Sequence, residues 1–433
     1  MAIVELSIDY IRQKWQHVGF QKYFQNTGWM FAAQIISFLT SFFTVAIVAR
    51  YLGPANQGML NYAQSFVAII SVFASLGIDQ ILYRDLIAHP EKEKEYIGTA
   101  MYSKLVLGAI AFILSVVISL LVDRNFLLTI LIGICALTFV VNPIGTVGTL
   151  FNAKVKSKYN SYITIFLAFF IPLLKLAVIF WNKGIIYFAL IILVQAIVST
   201  VWMVYIYTVK LGNNILSCKF HLDILKQLLR DSWPLLLAGF SGYIYANIDQ
   251  VLLLHYIDSA TVGIYGVAVK LTQVWAFLPG LLISSLFPAI VNAKKVNFEM
   301  YAKRFRALSG ITLGATVAIA LPLFIFAPFV IGIIFGNAYI GAVPILRIYL
   351  WVSVAITLVL LVQQYFITEN FTGIFLCTSI IGAASNVILN VILIPRFGSM
   401  GSAWGTMISY LSVVASLFLF KKSRDGIISV FTK

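Results

Sequence analysis

The stretch "TAMYSKLVLGAIAFILSVVISLLV" (Thr99–Val122) holds one charge, Lys104, and is otherwise apolar or weakly polar. It outlasts the roughly 20 residues that a helix needs to cross the hydrocarbon of a bilayer. It is too long and too uniform for the alternating strands of an outer-membrane barrel, so it reads as a spanning helix. Outward from it the same pattern repeats. Thr27–Ala49, Met59–Tyr83, Phe126–Leu150, Ile163–Trp181 and Ile185–Tyr207 complete a first group of six. Trp233–Leu254, Gly263–Ile290, Ala307–Phe326, Pro344–Ile367, Gly373–Ile394 and Gly401–Phe420 form a second six. The sequence therefore predicts an all-α integral membrane protein of twelve transmembrane helices in two groups of six.

Composition agrees. Of the 433 residues 61% are hydrophobic and 10% charged, against about 25% charged in a soluble domain, which excludes a water-soluble fold. Spans and short connectors consume the chain and leave no room for a separate soluble catalytic domain. The net charge of +15 would suggest nucleic acid in a soluble protein; here its placement reports topology. The N-terminal lead-in, the connectors after the even-numbered spans and the C-terminal tail hold 22 basic residues, while the opposite side holds 4, Arg50, Arg124, Lys183 and Arg396. By the positive-inside rule both termini are cytoplasmic. Residues 1–26 are charged throughout and lack the apolar core of a removable signal, and Ile3–Phe24 reads as an amphipathic surface segment. Cys135, Cys218 and Cys377 are too scattered for a disulfide framework or a zinc site.

The expected organisation is an N-terminal cytoplasmic or interfacial segment (1–26), a six-helix bundle (27–208), a cytoplasmic amphipathic linker (209–232), a second bundle (233–420) and a cytoplasmic tail (421–433). In the linker Leu222, Leu225, Leu228 and Leu229 recur at helical spacing, with Lys226 and Arg230 on other faces. An internal echo ties the halves together. "RYLGPANQGMLNY" from Arg50 and "HYIDSATVGIYGV" from His255 align at an offset of 205, matching Tyr51 to Tyr256, Ala55 to Ala260 and Gly58 to Gly263. Six spans separate the two segments, so the repeat is parallel, a device of transporters.

Charges within the spans are the candidate functional residues, because a charge near a helix centre costs at least ~2.5 kcal/mol in the bilayer. Lys175 follows Pro172 by three residues on a helix that proline opens locally. Lys270 lies several residues into its span. Arg347 is about one turn past Pro344 and either snorkels or binds, and Lys104 reads as a snorkeller near the cytoplasmic end. The excess of deep cations suits an anionic ligand, with Lys175, Lys270, Arg347, Arg50, Asn247, Gln273 and Asn390 as the candidate binding set. Asp249 and Asp79 are the candidate ion-coupling acids, and Asp249 has a plain alternative as the ion-pair partner of Lys270. The stripes Ser37, Ser41, Thr44 and Ser71, Ser75, Asp79, and the pair Asn386 and Asn390, read first as interhelical hydrogen bonds. GxxxxGK[ST], HExxH and GxSxG are all absent, so no catalytic residue, cofactor or metal is expected.

"RYLGPANQGMLNYAQSFVAIISVFASLGIDQILYRDLIAH" (Arg50–His89), "NIDQVLLLHYIDSATVGIYGVAVKL" (Asn247–Leu271), "LFPAI" (Leu286–Ile290) and "NVILNVILIPRFGSMGSAWGT" (Asn386–Thr406) together resemble the bacterial polysaccharide export proteins. These are the O-antigen or lipid-linked oligosaccharide flippases of the multidrug/oligosaccharidyl-lipid/polysaccharide exporter superfamily. Arg50, Gly53, Gly58, Arg84, Asp249, Gly263, Tyr265, Lys270, Asn390, Pro395 and Gly398 fall on positions that recur in that family. The resemblance implies two six-helix bundles forming a V-shaped central cavity in the bacterial inner membrane. It implies alternating-access flipping of an undecaprenyl-diphosphate-linked oligosaccharide, such as an O-antigen unit for lipopolysaccharide, with no enzymatic step. It also implies H+ or Na+ as coupling ion, membrane lipids around the protein, and polysaccharide polymerase and chain-length proteins as partners, with no role for nucleic acid. Two rivals stay open: a cation-coupled multidrug antiporter of the same superfamily, and a membrane polymerase or glycosyltransferase, which the short outer loops Asp123–Asn125 and Trp181–Gly184 disfavour.

Overall fold

The computed structural model describes residues 18–123, 125–369 and 371–432. Most of the amphipathic lead-in expected at Ile3–Phe24 lies outside the described residues. Among those residues the chain is helical, with no strand; a helix satisfies its backbone polar groups within itself, as hydrocarbon demands. Its helices are α1 (Val18–Ser75), α2 (Ile78–Ala88), α3 (Glu93–Val122), α4 (Phe126–Ala136), α5 (Val147–Ala153), α6 (Lys158–Phe180) and α7 (Ile185–Tyr205), followed by α8 (Leu222–Tyr256), α9 (Ser259–Val296), α10 (Phe298–Ile325), α11 (Ala327–Phe335), α12 (Ala342–Glu369), α13 (Thr372–Ser416) and α14 (Lys421–Thr432).

Nine helical runs among the described residues are long and apolar enough to cross a membrane, so this is a multi-pass membrane protein. Two of them, Gly28–Ser75 and Gly373–Leu419, have 48 and 47 residues, far beyond the roughly 20 residues of one crossing. Each contains a break. Gly53 has φ 70 and ψ 169 within α1, and Gly398 has φ 60 and ψ −141 within α13. A side chain would strain either conformation, so glycine is what lets each long run divide. The paired spans read from the sequence on either side of Gly53 and Gly398 are the arms of these two broken helices. The linker leucines lie on α8, which continues through them into the seventh predicted span as one helix of 35 residues.

The chain packs as two compact units. Unit one takes Phe73–Val117, Gly133–Trp233 and the described part of Met1–Thr44. Here α6 packs on α7 through Ile163, Leu167, Ile171 and Ile191, and α2 packs on α5. Unit two takes Val45–Val72, Ile118–Ile132 and Pro234–Lys433. Its core gathers α9, α10, α12 and α14 around Tyr301, Phe305, Tyr365 and Phe366. Val430 joins that core and the Tyr365 hydroxyl donates to the Ser423 carbonyl at 3.3 Å. The terminal residues therefore form a docked helix.

Within unit two the internal echo acquires a spatial meaning. A Cβ on Gly58 would collide with the Ser259 carbonyl oxygen, and a Cβ on Gly263 with the Pro54 carbonyl oxygen. Pro54 corresponds to Ser259, and Gly58 to Gly263, at the same offset of 205. The contact is reciprocal, as across a twofold axis, and small residues let the two backbones approach.

Candidate functional site

Two members of the α1 hydroxyl stripes, Thr44 and Ser71, bond within their own helix and not to another one as the sequence suggested. Thr40 donates to the Ile36 carbonyl at 2.9 Å, Thr44 to the Thr40 carbonyl at 2.6 Å and Ser71 to the Ala68 carbonyl at 2.6 Å. A hydroxyl in lipid satisfies itself most cheaply on the preceding turn of its own helix.

The Asn pair behaves otherwise and belongs to a polar centre in unit two. Asp249 on α8 is 3% exposed. Its Oδ1 accepts from Asn390 Nδ2 at 2.9 Å. Its Oδ2 accepts from Thr406 Oγ1 at 2.7 Å, from the Tyr349 hydroxyl at 3.1 Å and from the Tyr265 hydroxyl. The Tyr265 and Tyr349 hydroxyls lie 2.5 Å apart, and Ser402 Oγ donates to Tyr265 at 3.1 Å. Four helices contribute: α8 the acid, α9 Tyr265, α12 Tyr349 and α13 the Asn, Ser and Thr. Burying a carboxylate is costly unless donors surround it; here the donors are neutral.

This replaces the ion pair with Lys270 that the sequence offered as a plain role for Asp249. Lys270 Nζ donates to Asn61 Oδ1 at 2.8 Å. Asn61 belongs to the second predicted span, and its side chain lies against Gly266 where a Cβ would otherwise stand. Neutral donors suit Asp249 because tyrosine and threonine hydroxyls can converge on one oxygen without a second buried charge. The Oδ1 atoms of Asn386 and Asn390 are buried and meet no donor among the described residues, which leaves acceptor capacity beside the carboxylate.

Other candidates occupy different settings. Arg50 donates to the Ile333 carbonyl, in the last turn of α11, where unpaired carbonyls attract a cation. Arg347 Nε donates to the Phe324 carbonyl at 3.3 Å and its guanidinium stands 5.3 Å from the Phe324 ring centroid. Asn247 is half-buried and donates to the Tyr243 carbonyl of its own helix at 3.0 Å, while Gln273 is exposed. Unit one holds Lys175 and Asp79. Lys175 is half-buried on α6, and among the described residues no hydrogen bond or ion pair reaches it. Lys104, with a side chain 9% exposed, pairs with Asp79, which is 53% exposed. Asp79 is thereby engaged.

Outside the spans, Arg84 on α2 bonds both Asp85 and Asp231, each at 2.7 Å. The hydrogen bond from Arg84 holds the Asp231 carboxyl below its ordinary range. Gln227 Nε2 adds a longer contact to Asp85 at 3.4 Å. This network ties α2 to the start of α8.

Tyr349, Ser402, Thr406 and Asn61 escaped the sequence reading. A signal existed for three of them: Ser402, Thr406 and Ser409 recur at helical spacing along one face of α13, and Gln57 and Asn61 are one turn apart and bonded at 2.9 Å. Tyr349 sits among apolar neighbours and carries no periodic mark.

A family model described as "Polysaccharide biosynthesis protein" matches residues 23–294. The capsular polysaccharide biosynthesis protein CapF of Staphylococcus aureus is 24% identical over 92% of this chain and 99% of its own length. An inward-facing multidrug resistance MATE family transporter of the MOP superfamily superposes with a TM-score of 0.71 at 15% identity, covering 92% of this chain and 96% of that one. The lipid II flippase MurJ, in an inward closed conformation, gives a TM-score of 0.70 at 16% identity over 94% and 92% of the two chains. At these identities the two structures establish a common fold.

Proposed function

The chain belongs to the polysaccharide biosynthesis protein family, and from that premise we propose that it is a lipid-linked oligosaccharide flippase and not an enzyme. Its cargo in this reading is an undecaprenyl-diphosphate-linked oligosaccharide, moved from the cytoplasmic to the outer leaflet by alternating access. The sugar and diphosphate cannot enter hydrocarbon alone, because each unsatisfied polar group is costly there. One observation carries the reading: Lys175, an ammonium within an apolar helix, has no counter-charge among the described residues. A charge kept in a span without a partner is explained by a ligand that brings the opposite charge. Lys270 is the corresponding cation of unit two and would exchange its bond to Asn61 for a phosphate oxygen. The halves 27–208 and 233–420, joined by 209–232, are the moving parts of this scheme, set in the inner membrane with both termini cytoplasmic.

Asp249 is the coupling acid of the proposal. A carboxylate ringed by neutral groups, with the Asn386 and Asn390 oxygens beside it, offers the oxygen ligands that H+ or Na+ takes. Outward movement of an anionic lipid also gains ~2.3 kcal/mol per charge per 100 mV from an interior-negative potential.

The test is flipping of a fluorescent polyprenyl-diphosphate oligosaccharide in proteoliposomes. Lys175→Ala and Lys270→Ala should each lower the rate by about tenfold or more, the equivalent of one lost charge-assisted contact of 1.5 kcal/mol or more. Normal rates in both variants would remove the diphosphate contact from the mechanism. Drug antiport is the second reading, favoured by the same buried acid; efflux of cationic dyes, with no oligosaccharide flipping, would select it.

A further inference from the structure

Unit one contains a cavity of about 580 Å³, with Leu76, Tyr102, Val106, Phe220, Leu225 and Leu229 in its wall. That volume falls in the range of pockets that enclose small ligands, about 300–1,000 Å³. The lining surface is apolar throughout, so water gains nothing by entering. It opens outward: Val106 is 59% exposed, Phe220 46% and Tyr102 39%. The wall is firmly built. The His221 backbone N–H donates to Thr99 Oγ1 at 3.0 Å, and a Cβ on Gly98 would fall 2.7 Å from the Lys219 nitrogen. The segment carrying Phe220 is therefore clamped against α3.

Three exposed cations neighbour lining residues along the chain. Lys219 adjoins Phe220, Lys226 adjoins Leu225 and Arg230 adjoins Leu229, and all three are exposed. Lys226 and Arg230 are one helical turn apart, so they share the face next to the lining leucines. Nearby acids are largely committed. Asp85 and Asp231 hold Arg84, with Arg230 at 3.6 Å from Asp231, and Asp79 holds Lys104; Asp223 is the exposed exception. An apolar chamber with three lining residues, Phe220, Leu225 and Leu229, each followed or preceded by an exposed cation matches a molecule that is hydrocarbon at one end and anionic at the other.

We propose that this cavity binds one acyl chain of an anionic phospholipid, whose phosphate rests on Lys219, Lys226 and Arg230. The site is separate from the transport reading and does not depend on it. Each of these cations is worth about five-fold in affinity for an anionic lipid, from roughly 1 kcal/mol per basic residue near the surface.

Photolabelling of the full chain in nanodiscs tests it. Phosphatidylglycerol and phosphatidylcholine probes carry the same mid-chain diazirine, and labelled peptides are mapped. Phosphatidylglycerol should label peptides around Tyr102–Leu107 and Leu225–Leu229 several-fold more than phosphatidylcholine. Lys226→Gln with Arg230→Gln should bring the two probes level, and Leu107→Trp, which fills the chamber, should abolish both signals. The wild-type comparison stands even if a variant does not fold. Equal labelling by both headgroups would reduce the site to ordinary boundary lipid and overturn the proposal. Absence of label there, or its displacement by undecaprenyl phosphate and not by unlabelled phosphatidylglycerol, would overturn it as well.

Discussion

At the scale of single residues, Asp249 and Lys175 present opposite solutions to a charge in an apolar protein. Asp249 is ringed by donors from Tyr265, Tyr349, Asn390 and Thr406; Lys175 has no partner among the described residues. Their substitutions should therefore differ in kind. Asp249→Asn sets an amide N–H against hydroxyls that were donating, at a cost of about 1–3 kcal/mol for groups left unsatisfied. Thermal unfolding in detergent should register that loss, and transport should stop responding to an imposed pH or Na+ gradient. A variant that still follows the gradient would dismiss Asp249 as the coupling acid. Lys175→Ala removes no hydrogen bond or ion pair among the described residues, so its unfolding temperature should fall less than that of Asp249→Asn while flipping falls.

Among elements, the contact of Gly58 with Ser259 and Gly263 with Pro54 is where two repeated segments meet backbone to backbone. A methyl group has nowhere to go except by moving a helix. Gly58→Ala and Gly263→Ala should each destabilise by about 1–3 kcal/mol, as overpacking does. Because one reciprocal interface is broken in both cases, the double variant should lose less than the sum. Strict additivity in a double-mutant cycle would show that the two glycines do not share a contact. The Arg84–Asp231 pair between α2 and α8 makes a different prediction. Its carboxyl is held down by Arg84, so its stabilisation is complete above the ordinary aspartate value and is lost as pH falls through the lower folded-state value. The stability gap between wild type and Asp231→Asn should stay constant from neutral pH to about 5 and close only below about 4. A gap that closes above pH 5 would mean that Arg84 does not hold the acid.

For the whole molecule, the asymmetry of 22 basic residues against 4 predicts that both termini are cytoplasmic. A green fluorescent protein fused after the last residue should fluoresce, and alkaline phosphatase inserted at Trp181–Gly184 should be active. The reverse pattern would invert the topology. Sequence by itself determined that the chain is helical and spans a membrane repeatedly, because hydrocarbon demands internally bonded backbone over a fixed length. It also placed Gly53 and Gly398 between paired spans, while the left-handed backbone that each adopts inside a long helical run came from the structure. Tertiary structure alone decided which partner each buried polar group takes. Asp249 found tyrosines from α9 and α12 instead of Lys270, Lys270 found Asn61, and Lys104 found Asp79. Periodicity reports which face of a helix is polar, whereas the partner depends on how helices distant in sequence pack, and a single tyrosine such as Tyr349 leaves no periodic trace of that packing.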